Sequence, residues 1–266
     1  MTAVCYVAMG HERRASIANL RQICAEDGLR LRRRSFSLFY NFSRFMVARM
    51  EMKNLPEQSI TERVVNLPEA RAALERALAL GSGAVVATAH LGNWEMGVRL
   101  LKLSGRKVHI VMMADGVGDI ESEYERSRAM EGLKVHWIGE DPFVGAELLS
   151  ALRDGELVAV QADRNAGAAC VTLPLFGAPV QLPLGPATLA RAADVPILPC
   201  YVLMEDGHHL RLRIDPPIQV RRTSNAREDL YQATLELSRS IEAAVAERPE
   251  QWFNFYPIWE KTCTQP

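Results

Sequence analysis

The stretch Gly83-Ala84-Val85-Val86-Ala87-Thr88-Ala89-His90-Leu91-Gly92-Asn93-Trp94-Glu95 constrains the fold of this chain more than any other. Its first half is small and β-branched, the composition of a strand buried on both faces. It breaks at His90, passes through Gly92-Asn93, and resumes with helical spacing from Glu95 to Leu101. A strand that ends in a polar tip and turns at once into a helix is where open α/β sheets place their chemistry.

The rest of the chain repeats that alternation. Helical patterns are predicted at 67–80, 95–103, 119–130 and 146–153, and short apolar strands at 107–114, 133–138 and 156–162. A strand at 196–203 follows, paired through a Gly207-His208-His209 turn with a strand at 210–214, and a long helix spans 224–247. This order predicts a single α/β domain with a mostly parallel central sheet flanked by helices. Its 266 residues supply a full core. Residues 1–55 read as a helical arm and 56–266 as the core.

Composition excludes several classes. A net charge of −1 argues against a nucleic-acid binder. Five scattered cysteines without a C-x-x-C pair argue against a disulfide scaffold or a zinc site. No metal or dinucleotide motif appears. No run of 18 apolar residues encodes a membrane span.

His90 and Glu95 flank the central turn. A neutral imidazole accepts a proton from an attacking hydroxyl near pH 7, and a carboxylate within reach fixes its tautomer. On one regular helix the two would stand about 140° apart, so they converge only if His90 lies in the loop and Glu95 in the first helical turn. Gly92 and Asn93 permit that bend, Asn93 also as an N-cap. The free N–H groups of the first turn suit an oxyanion or a phosphate. The alternative is a solvated His at a strand end, with Glu95 favouring the helix dipole.

The strand at 156–162 also ends in polar residues, Asp163-Arg164-Asn165. Arg164 suits a phosphate or phosphopantetheine group, or else an ion pair with Asp163. Arg126 and Arg128 lie on the charged helix at 119–130, and Arg128 is a further candidate substrate-binding residue.

His90-Leu91-Gly92-Asn93-Trp94-Glu95 after an apolar strand resembles the His-x4-Asp/Glu motif of the lysophospholipid acyltransferase superfamily, and more narrowly its lipid A biosynthesis branch. Three further segments match in the same order. They are Asp163-Arg164, the Phe176-Gly177-Ala178-Pro179 to Pro183-Leu184-Gly185-Pro186-Ala187 region, and Pro249-Glu250-Gln251-Trp252. Two departures stand out. The family's membrane anchor is missing before Arg13-Arg14, and its basic closing segment is replaced by Phe253-Asn254-Phe255-Tyr256.

The resemblance implies transfer of an acyl chain from a thioester of acyl carrier protein or coenzyme A to a lipid or glycolipid acceptor, without a cofactor. His90 would act as base and Glu95 would orient it, with Gly92, Asn93, Asp163, Arg164 and Arg128 binding substrate. No Gly-x-Ser-x-Gly elbow is present for a covalent route. A hydrolase using the same pair, or a non-catalytic lipid-binding protein, are the alternatives. Within residues 1–53, ten Lys or Arg stand against four Asp or Glu beside clustered aromatics. That pattern suits a helix on an anionic membrane surface, or a core helix with solvated arginines. The implied location is peripheral, on the cytoplasmic face of a bacterial inner membrane.

Overall fold

A computed structural model describes residues 2–52, 55–79, 83–113, 133–138, 143–165 and 169–259. The central strand β1 (Ala84–Thr88) lies between β4 (Leu157–Gln161) and β7 (Ile197–Met204), both parallel to it. Beyond β4 come β2 (Val108–Met113) and β3 (Lys134–Ile138), and beyond β7 comes β8 (Leu210–Ile214). The order β3-β2-β4-β1-β7-β8 is parallel throughout except for β8, the return strand of the hairpin that carries His208-His209. The sequence predicts this mostly parallel sheet and its limits to within about two residues.

Strand alternation divides β1 between two cores. Val85 and Ala87 face one side, with Leu148 and Leu152 of α7 (Val144–Arg153), Ala187 and Ala190 of α8 (Gly185–Ala193), and Leu237 and Ile241 of α9 (Ala226–Glu247). Ala84 and Val86 face the other, with Leu78 of α5 (Leu67–Leu78) and Leu101 of α6 (Trp94–Leu101). All four strand residues are 3% exposed or less, so β1 has no polar face and places chemistry only at its end.

The proline-rich segment is a two-stranded ribbon, β5 (Cys170–Leu175) against β6 (Ala178–Pro183), outside the main sheet. Pro174 and Pro179 are paired in it. A ribbon of two edge strands tolerates prolines that a central strand would not.

Four helices precede α5: α1 (Thr2–Ala8), α2 (Gly10–Cys24), α3 (Gly28–Met52) and the short α4 (Glu57–Thr61). Leu38, Phe39 and Phe45 of α3 are buried in a third core with Met96, Val202, Met204 and Phe253. Asn19 of α2 donates from Nδ2 to the carbonyls of Asn254 and Tyr256, and its Oδ1 accepts from the Ile258 N–H. The arm therefore packs on the chain's far end. The opposite face of α3 carries Leu29, Phe36, Tyr40, Val47 and Met50, all exposed. Arg30, Arg32 and Arg33, also exposed, lie near its first turn. The inner face is that of a core helix, and the outer face leaves an apolar strip exposed. Among the described residues no helix is long and apolar enough to cross a membrane.

Candidate active site

Parallel register builds the site. Thr88 of β1 pairs with Gln161 of β4. Two residues further along each chain stand His90 and Asp163, at the carboxyl edge of the sheet. His90 Nδ1 lies 2.8 Å from Asp163 Oδ1, and the His90 backbone N–H donates to Oδ2 at 3.0 Å. One carboxylate thus fixes both the ring and the main chain of the histidine. With Nδ1 engaged, Nε2 makes no hydrogen bond among the described residues and is the nitrogen open to a substrate.

Asp163 is wholly buried, and its side chain has further donors. Trp252 Nε1 donates to Oδ2 at 2.8 Å, and Asn254 Nδ2 approaches the same oxygen at 3.4 Å. Burial opposes its ionisation, but the positive charge and hydrogen bonds of His90 and the charge of Arg164 outweigh it. They hold the carboxyl well below its ordinary range. It is an anion at neutral pH.

The loop after His90 is tied to the same neighbours. Gly92 has φ +64°, and a Cβ there would sit 2.0 Å from the Val202 carbonyl oxygen, so only glycine fits. The Gly92 N–H donates to the Gln251 carbonyl, the Asn93 N–H to the Val202 carbonyl, and the Phe253 N–H to the His90 carbonyl. Asn93 caps α6 as its sequence predicts, Oδ1 accepting from the Met96 N–H. Gly92 and Asn93 thus shape the turn, their amides committed to protein carbonyls.

Glu95 lies in the first turn of α6 and is 5% exposed. The carboxylate that meets the His90 ring at Nδ1 is that of Asp163, 73 positions away in sequence. The helical spacing kept Glu95 near His90 in sequence, while the β1–β4 register brings Asp163 to it in space. Arg164 reaches the closing segment, donating from Nε to Asn254 Oδ1 and from Nη2 to the Phe253 carbonyl, each at 2.6 Å, with its guanidinium 5.4 Å from the Tyr256 ring centre. Arg126 and Arg128 lie outside the described residues.

The resemblance singles out Trp252 in its closing motif, but nothing in the sequence signals that Trp252 and Asn254 meet Asp163. Their aromatic character reflects burial: Trp252 and Phe253 are 1% and 2% exposed. Phe253 meets Phe42 and Phe45 of α3. Phe45 and His90 both contact Trp94, whose ring centre is 5.4 Å from that of His90. Trp94 and Thr88 in turn line an apolar cavity of about 140 Å³ between α5, α6 and the sheet, walled by Leu74, Val86, Val98 and Leu101. No cluster able to hold a metal occurs among the described residues.

The description of the bacterial lipid A biosynthesis acyltransferases matches residues 33–261. The chain belongs to that family, as the resemblance of its motifs implied. It is 30% identical over 190 residues, 70% of its length, to the phosphatidylinositol mannoside acyltransferase of Mycobacterium tuberculosis, covering 57% of that protein. It is 28% identical over 186 residues, 69% of its length, to the protein of the same name from Mycolicibacterium smegmatis, covering 59% of it. The chain thus spans less than three-fifths of the length of these curated relatives.

Proposed function

We propose that this protein is an acyltransferase that moves a fatty acyl chain from an acyl thioester to a hydroxyl or amine of a lipid or glycolipid at a membrane surface. The observation that carries the reading is the placement of His90. Its Nδ1 is held by an ionised, buried Asp163, its Nε2 is left open, and its neighbour Trp94 forms the wall of an apolar cavity.

In the step that follows, Nε2 takes the proton of the acceptor hydroxyl as its oxygen attacks the thioester carbonyl. Asp163 stabilises the imidazolium that results. The tetrahedral intermediate collapses with cleavage of the C–S bond, and the imidazolium returns its proton to the departing thiolate. The new ester and the free thiol balance the reaction without a covalent acyl-enzyme. The apolar cavity beside Trp94 takes part of the acyl chain. Acyl carrier protein is the preferred donor, with coenzyme A as the other thioester of the same chemistry. The exposed apolar outer face of α3, flanked by Arg30, Arg32 and Arg33, supports contact with an anionic membrane, and with it the reading that the reaction occurs at the cytoplasmic leaflet of the inner membrane. A lipid A precursor and a mannosylated phosphatidylinositol are the acceptors to try first, the second because of the relatives' names.

The test is mass spectrometry of products formed from labelled acyl thioesters and a total bacterial lipid extract, with His90→Ala in parallel. A new labelled lipid made only by the unaltered protein is expected, and it names the acceptor. Labelled free acid in its place would mean hydrolysis. Transfer that persists in a folded His90→Ala variant would remove His90 as the base.

A further inference from the structure

A second crevice, of about 260 Å³, opens between α3 and the β7–β8 hairpin. Met96, Met204 and Leu210, all buried, are apolar side chains in its lining. Tyr40 and Val47 also line it, and they are the same residues that stand exposed on the outer face of α3, so the crevice is continuous with that face.

Two arginines, Arg44 and Arg63, and one carboxylate, Glu51, also line it. The Arg63 side chain is only 21% exposed, yet its nearest carboxylate is Glu51 at 3.9 Å, beyond hydrogen-bond distance. It makes no side-chain hydrogen bond among the described residues. Arg44 donates to Asn41 Oδ1 and to the carbonyls of Glu205 and Gly207, and no carboxylate pairs with it among the described residues. Three of its five N–H groups are thereby used, leaving Nε–H and one Nη1–H. His208 and His209, both exposed, complete the lining on the hairpin side. The unused N–H groups of both guanidinium groups reach solvent and can donate to an anionic ligand.

We propose that this crevice binds the phosphodiester of an anionic membrane lipid, as a site separate from His90. Arg63 and Arg44 hold the phosphate oxygens, which match the planar donor fork of a guanidinium. The lipid's chains follow Tyr40 and Val47 out along α3. The assignment rests on the reading that α3 meets a lipid surface, and it adds a discrete headgroup site to that contact.

Isothermal titration of the full chain with monomeric dihexanoyl-phosphatidylglycerol tests it without any need for turnover. One saturable site is expected, with binding unchanged in His90→Ala. Arg63→Gln should weaken it by about tenfold or more, and so should Tyr40→Glu, a change at an exposed position that leaves the fold undisturbed. Unaltered binding in both variants overturns the proposal. Equal binding of dihexanoyl-phosphatidylcholine overturns recognition by charge, and equally tight binding of inorganic phosphate overturns the assignment to a lipid. Because no acyl transfer is measured, failure here leaves the catalytic reading intact, and failure of transfer leaves this site intact.

Discussion

The indole N–H of Trp252 donates to Asp163 Oδ2 at 2.8 Å while the other oxygen of the same carboxylate faces His90 Nδ1. An aromatic residue 89 positions from Asp163 thus holds the carboxylate that holds the His90 ring. Trp252→Phe keeps the ring but removes that donor. The carboxylate then leans harder on His90, and the His90 Nδ1 proton resonance is expected to move downfield. Turnover should fall by roughly tenfold with KM little changed, the pattern of a geometry that matters most in the transition state. An unmoved resonance would reduce Trp252 to a packing residue.

Asp163→Asn is expected to lower kcat on the order of 10³-fold, because an amide neither fixes the useful tautomer of His90 nor stabilises its cation. It should also change the response to acid. The folded-state pKa of Asp163 lies below its unfolded value, so its ionisation stabilises the protein above the ordinary carboxylate range. That stability is lost as pH falls through the range and below it. Denaturant titrations from neutral pH to pH 3 should therefore show a shallower acid loss in the variant, by up to about 1.4 kcal/mol per pH unit.

Gly92→Ala is expected to destabilise by about 3 kcal/mol or more, since the added Cβ meets a backbone carbonyl at a positive φ. A melting temperature equal to that of the unaltered protein would refute the tight approach of this loop to β7.

At the opposite, amino-terminal edge of the sheet, His109 Nδ1 lies 2.8 Å from His136 Nε2, and His109 Nε2 lies 2.6 Å from Glu156. Burial lowers the His136 pKa, helped by His109 and Lys134 and opposed by Glu147. The unfolded chain therefore takes up a proton that the folded chain resists, and stability falls as pH drops below about 6.5. His136→Gln should remove part of that fall. The difference in unfolding free energy between pH 7.5 and pH 5 should be smaller in the variant than in the unaltered protein.

The strands and their order of use were legible because each is a short apolar run closed by a polar residue or a turn. The position of His90 just past a strand end was legible for the same reason, as was the cap by Asn93. The partner of His90 was not, although a signal existed: Ala89-His90 and Ala162-Asp163 close their strands alike, a small residue and then a polar tip. Which strands lie side by side is a property of the whole sheet, and no spacing along the chain states it. The proline-laced ribbon was hidden because its residues disfavour central strands, and the closing Trp252-Phe253-Asn254 because its contacts reach across the whole sequence. The aromatics of α3 could be counted but not sorted into inner and outer faces until their packing partners were known.

Asn41 of α3 donates to the Glu250 carbonyl, and Asn19 of α2 grips the carbonyls of Asn254 and Tyr256. Both clasps close on the short stretch whose indole steadies Asp163. The outer helices and the His90 turn are therefore fastened to one short peptide, α2 and α3 through two amide side chains and His90 through its own carbonyl.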